Sequence, residues 1–199
     1  MNCACIYLAN GKIGGMSYHH GDLRRAILDA AIESIEARGS AAVSLRDLAR
    51  RAGVSHAAPI HHFGDKAGVL TALAAEGYEL LADALTAAAS DFVEAGVAYV
   101  RFAVTHKAHF EVMFRPDTYH RDDPAVTAAR ERAGQALTTG VHTRTARTGR
   151  QAQLTGIAAW SLMHGFATLW LTGALPESLG EDLTATSRDV AKILFQGAD

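Results

Sequence analysis

Three histidines fall within seven residues of the stretch Gly53-Val54-Ser55-His56-Ala57-Ala58-Pro59-Ile60-His61-His62-Phe63. Imidazole can ligate a metal, carry a proton, or donate to and accept from a base edge. Chelation fits this spacing poorly. Adjacent His61 and His62 point about 100° apart on a helix, and the only cysteines, Cys3 and Cys5, lie far upstream. His106 and His109 stand at i, i+3 and could share a metal, but no carboxylate or third histidine is placed with them in the sequence. Gly11, Gly14 and Gly15 lack the lysine of a phosphate loop, and no nucleophile–base–acid set or paired Glu-x-x-His motif is present. The residues therefore imply no catalytic set, no metal and no cofactor. A helical-bundle metal or cofactor enzyme remains the alternative.

The elements that must position the histidines read clearly. Leu23, Ile27, Ala31 and Ile35 repeat at i+4 and predict a helix over 21–38, stopped by Gly39. Ser44 followed by Asp47 has the spacing of a capping box, and Val43 with Leu48 that of a hydrophobic staple. Leu45, Leu48, Ala49 and Ala52 then mark a short helix ended by Gly53. Ser55 can cap a third helix with Pro59 in its first turn, closing near Phe63-Gly64. Ala49, Gly53 and Val54 occupy the small contact, the positive-φ turn and the core plug of a helix-turn-helix. On this wheel Pro59 and Phe63 face inward, and Ala57, Ala58, His61 and His62 face outward.

The rest of the 199 residues also reads as helix. A long helix is predicted from Lys66 to about Ala89, then one from Phe92 to Arg115 bending near His106-Lys107. A loop over 116–123 leads to a helix that Asp123 caps with Pro124 at its first position and that fades near Thr139. An apolar helix over 151–173 and a last one over 181–196 follow. Apolar residues make up 49% and charged residues 20%, as in an ordinary globular chain. The net charge of −2 argues against wholesale coating of nucleic acid and leaves room for a local basic patch. No apolar run approaches the ~20 residues of a bilayer span, and the start lacks a basic n-region, so a cytoplasmic protein without a membrane partner is expected. Residues 1–16 are expected to be a disordered or mis-started arm, because they have no period and Met16 precedes a clean start.

The segment Ser44–Leu70 resembles the DNA-binding region of the TetR family of bacterial transcriptional regulators, whose usual pattern is a capped short helix, Ala-Gly-Val-Ser, a recognition helix ending in aromatic-x-His-Phe, then a lysine opening a long helix. The stretch Ala158–Leu175 resembles the C-terminal domain of a TetR subgroup named for a Trp, a His and a Gly, here Trp160, His164 and Gly165. The resemblance implies an all-α homodimer, with a helix-turn-helix domain over 17–66 and a ligand-binding and dimerisation domain over 67–199. It implies a repressor that binds a near-palindromic double-stranded operator and is released by a small-molecule effector. Carried over by position, His56, Ala57, Ala58 and His61 are candidate base readers, and Ser44, His62 and Lys66 candidate phosphate contacts. Ser55 belongs to the same surface, and Arg46, Arg50 and Arg51 add charge. Ile60 departs from the family's usual phosphate-binding tyrosine, which leaves a TetR-like interaction protein without DNA binding as a further alternative.

For the effector, a pocket between helices needs a few polar groups among apolar ones. Tyr99, Phe102, His106, Met113, Trp160 and His164 are the candidates. Small residues at Gly156, Ala158, Ala159, Ser161, Gly165 and Ala167 suit close approach of a second subunit.

Overall fold

The structure, a computed structural model, describes residues 20–144 and 149–193, with side chains described for 23–138 and 149–193. The arm expected at 1–16, with both cysteines, lies outside the described residues. Within them the chain is all-α, with no strand. The helices are α1 (His20–Arg38), α2 (Leu45–Arg51), α3 (Ala58–Phe63), α4 (Lys66–Ala87), α5 (Phe92–Thr105), α6 (Lys107–Met113), α7 (Pro124–Arg144), α8 (Gly149–Leu171) and α9 (Leu183–Ile193).

The stops and starts have local causes. At the end of α2, Gly53 takes φ 65°, so the Val54 N–H reaches the Ala49 carbonyl at 3.0 Å and closes a Schellman turn. Pro59 has no N–H to give to Ser55, whose carbonyl instead accepts from Ala58 at 3.0 Å in a tight turn. The helix therefore begins after that turn, and its first i→i−4 bond runs from His61 to Ala57. Ser55 is thus not the cap of α3. Ser44 does stand at the N-cap of α2, but its side chain makes no capping bond. The expected capping box is not formed, because Asp47 is taken by arginines. Asp123 caps α7 through the Ala125 N–H at 2.8 Å, with Pro124 first in the helix as predicted. His106, at φ −117° and ψ 51°, breaks α5 from α6 where the bend was expected.

Two cores form. The first gathers Ile27, Leu28, Ala31 and Ile35 of α1, Leu48 of α2 and Val69–Ala74 of α4. The second gathers the far half of α4 with α5, α8 and α9, through Leu81, Leu85, Tyr99, Phe102, Met163 and Phe166. Three helices belong to both, α7 through Val126 in the first and Ala133 in the second. α4 runs from one core to the other, and α6 gives Ala108 and Val112 to the first and Phe110 and Met113 to the second. That division follows from the helical period, which puts 108 and 112 on one face and 110 and 113 on the other.

α8 is longer than expected at its start and is apolar enough, over 23 residues, to cross a membrane by length and composition. Its inner face carries Ala152, Ala159, Met163 and Phe166 into the second core. Its outer face leaves Leu154 and Leu169 about half exposed, along a row with Ala158, Ser161 and Gly165.

Candidate nucleic-acid interface and ligand cavity

α3 is held from inside by Ala58 and Pro59, both buried, and by Phe63 at the edge of the first core. The Arg24 guanidinium lies over the Phe63 ring, 5.2 Å from its centroid. What α3 and the turn before it leave outside is Ser55, His56, Ala57, Ile60 and His61. Ala57, Ile60 and His61 stand at i, i+3 and i+4, one face of a helix.

This corrects the expected outward face at Ala58. That residue is only 8% exposed and packs in the first core, so it has no edge to offer a base. The tight turn ahead of Pro59 sets the phase of α3 so that Ala58 turns inward. Ile60, which departs from the family pattern, belongs to this row. It is 58% exposed in the middle of the row, and its i+3 spacing from Ala57 was the available signal. His62 is half-buried and lines a groove with Arg24, Phe63 and His120, beside the row rather than in it.

The basic surroundings are partly tied down. Asp47 accepts from Arg38 at 2.7 Å and from Arg50 and Arg51 at 2.8 Å each. Arg51, Arg50 and Arg38 together hold its carboxyl well below the usual carboxylate range. Asp47 thereby fastens α2 to the end of α1. Arg46 is exposed and has no hydrogen bond or ion pair among the described residues. Lys66 donates from Nζ to the Ala41 carbonyl at 2.7 Å. An ammonium has three donors, so two remain for an anion. Asp65 caps α4, accepting from the Gly68 N–H at 2.8 Å.

The six expected ligand residues do not converge on one space. Met113 and Trp160 line a cavity of about 610 Å³ between α4, the end of α6, α7 and α8, together with Tyr78, Tyr119, Arg121 and Arg130. Those last four were missed; they come from three separate segments, and nothing local in the sequence marks them as neighbours. Phe102 and His106 line a different groove against Leu80 and Ala84, so they leave the candidate set. The shared stripe of α5 does not decide which neighbour each turn meets.

Tyr99 and His164 serve the cavity from behind. The Trp160 indole N–H donates to the Tyr99 hydroxyl at 3.0 Å, and that hydroxyl lies 2.9 Å from His164 Nδ1. An indole can only donate, so the Tyr99 oxygen accepts from Trp160 and its O–H stays available to donate to Nδ1 of a His164 tautomer protonated at Nε2. Burial pushes the His164 pKa down and the Tyr99 pKa up, which keeps both neutral and the chain of bonds intact. Tyr99 is 1% exposed; its role is to fix the Trp160 ring at the cavity wall.

The cavity touches the helix-turn-helix unit through α6. Tyr78 and Tyr119 both donate to the Met113 carbonyl at 3.2 Å, at the end of that helix. On the other side of α6, Glu111 accepts from the Ser40 N–H at 2.8 Å. Close by, Glu76 of α4 holds Arg25 of α1 at 2.8 Å. His109, which approaches to 3.6 Å, and Arg25 hold the Glu76 carboxyl down to about 2. That distance is longer than a formed hydrogen bond, and His109 Nε2 is left without a partner.

Comparison with known proteins agrees with this arrangement at both ends of the chain. Residues 27–73 match the model for bacterial regulatory proteins of the tetR family, and residues 92–191 that for the tetracyclin repressor-like C-terminal domain. The chain is 47% identical over 47 residues to the HTH-type transcriptional regulator BetI of Agrobacterium fabrum, a match spanning 23% of that protein's length. A protein of unknown function from Rhodococcus sp. RHA1 shares its fold, with TM-score 0.75 and 32% identity over 91% of this chain and 97% of that one. So does the TetR-like regulator LfrR of Mycobacterium smegmatis, solved in complex with proflavine, with TM-score 0.61 and 19% identity over 88% of this chain and 96% of that one. With an amino-terminal helix-turn-helix, a matched regulatory C-terminal half and a near full-length relative, the chain belongs to the TetR family of bacterial transcriptional regulators.

Proposed function

We propose that the chain is a cytoplasmic, effector-released repressor, not an enzyme, that binds a near-palindromic operator as a homodimer. The observation that carries this reading is the exposed row of Ser55, His56, Ala57, Ile60 and His61 on a short helix braced by buried Ala58 and Pro59. Such a helix enters the major groove with its first residues toward base edges. His56 and His61 can donate or accept there, and the Ala57 methyl and Ile60 suit thymine methyls. Ser44, Arg46 and Lys66 flank the row as phosphate contacts. The reading head spans 17–66, and residues 67–199 bind effector and pair subunits. The outer row of α8, from Leu154 through Ala158, Ser161 and Gly165 to Leu169, is small or apolar and would meet its own copy in a second chain.

Effector in the 610 Å³ cavity would bear on Tyr78, Tyr119 and the end of α6. α6 would carry the change through Glu111 to the turn at Ser40. Release requires that the effector bind the DNA-incompetent spacing of the two heads more tightly than the competent one. LfrR, which holds proflavine, is a precedent for small-molecule binding within this fold.

Two substitutions test the assignment of reading and positioning contacts. His61→Ala is expected to cost about 1–3 kcal/mol on the preferred operator and to flatten the preference at one base pair. Lys66→Ala is expected to weaken matched and mismatched sites alike and to reduce the salt slope by about one. Equal losses on matched and mismatched DNA for both variants would contradict the proposal.

A further inference from the structure

We propose that the effector is an amphipathic carboxylate, with its apolar body in the cavity between α4, α7 and α8 and its anionic head on Arg130. This rests on the reading of that cavity as the effector site. The walls are mainly apolar or aromatic, with Leu81, Met113, Leu137, Ile157 and Trp160 among them. The only charged side chains among its lining residues are Arg121 and Arg130, and both are cations.

The two arginines differ. Arg121 is 62% exposed at the rim and lies 3.7 Å from Asp122. Arg130 is half-buried and has no hydrogen bond or ion pair among the described residues. Glu79 and Asp83, the acids α4 turns toward α7, are both bonded by Arg132 instead. Arg130 shares one face of α7 with Ala133, Gly134 and Leu137, all of which line the cavity. Arg130 lines the cavity together with Tyr78 of the facing helix.

A guanidinium partly withdrawn from water without a partner is unfavourable, and its planar fork matches a carboxylate bidentately. A cation entering the same space would meet two like charges and no acid. The cavity volume of about 610 Å³ lies within the range of small-molecule sites. Such a ligand would lie against Tyr78 and Tyr119, whose hydroxyls hold the end of α6.

The test titrates the full chain by calorimetry with decanoate, decanol and decyltrimethylammonium, each kept below its micelle concentration. Decanoate is expected to bind about tenfold or more tighter than decanol, as a charge-assisted contact adds, with the cation weakest. Arg130→Gln is expected to erase the preference and Arg130→Lys to restore part of it. Gly134→Leu places a side chain where a Cβ meets open space and is expected to weaken all three probes. If decanoate and decanol bind equally, or Arg130→Gln keeps the preference, the carboxylate assignment falls; the cavity reading survives that result if Gly134→Leu still weakens decanol. If wild-type protein binds no probe, or Gly134→Leu weakens none, the cavity reading falls and the assignment with it.

Discussion

Gly68→Ala is expected to abolish operator binding while leaving the C-terminal half of the protein folded. An alanine within a helix ordinarily gains about 1 kcal/mol over glycine. Here the sign reverses. Gly68 sits in the first turn of α4, and a Cβ there would fall on the Phe63 carbonyl oxygen, with the Phe63 carbonyl carbon only 2.9 Å away. Phe63 is the last residue of α3, and the corner between the helices is already committed. Gly64 holds φ 76°, and Asp65 is bonded to the Gly68 N–H. Relief must come from displacing the six-residue α3, since α4 is locked in the first core by Val69, Leu70 and Leu73. Overpacking costs about 1–3 kcal/mol, and on this corner it falls on α3, the element proposed to read DNA. Gly134→Ala is the control, because its Cβ meets nothing within 4 Å; it is expected to raise stability slightly. Operator titration alongside thermal unfolding separates the two. Wild-type affinity in Gly68→Ala would show that α3 can yield without losing its register.

The second large effect is expected from Glu111→Ala, in which effector should no longer weaken operator binding. Glu111 Oε1 accepts from the Ser40 N–H at 2.8 Å, and Ser40 is only 2% exposed. The same 40–42 turn supplies the Ala41 carbonyl that holds Lys66 at the start of α4. One carboxylate thus ties α6, whose far end Tyr78 and Tyr119 hold beside the cavity, to a turn packed beside the reading head. Truncation leaves a buried N–H unsatisfied, at about 1–3 kcal/mol, and cuts that tie. Coupling between sites is typically worth 5- to 150-fold in affinity, roughly 1–3 kcal/mol. The ratio of operator affinities with and without effector, the effector first found by its thermal shift, should fall toward one. Glu111→Gln keeps an acceptor oxygen and should keep much of the ratio. An unchanged ratio in Glu111→Ala would place the coupling elsewhere, with the Glu76–Arg25 pair the next contact to break.

Local signals in the sequence carried the scaffold well. Leu45, Leu48, Ala49 and Ala52 mark α2 because burial recurs with the helical period. Gly53 and Pro124 act through their own φ. His106 falls where α5 breaks from α6. The failures are of another kind. Ser44 and Asp47 have capping-box spacing, yet Asp47 is claimed by Arg38, nine residues upstream and on another helix. Ala58 turns inward because the proline after it delays the helix and shifts its phase. Tyr99 and Phe102 are both aromatic and both buried, but only the packing of α8 decides that one touches Trp160 while the other faces Leu80. The cavity's cations were invisible for the same reason. Arg130 differs from Arg132 in what stands across from it on α4, and helical periodicity does not report that.

The most direct measurement of the central claim is a selection from random double-stranded DNA with the purified chain, followed by titration of the winning site across salt concentrations. The expected result is a two-fold symmetric site with half-sites about 34–36 Å apart or a multiple of that, bound with an affinity that falls steeply and linearly in log salt. A pool that enriches no sequence, or binding indifferent to salt, would contradict it.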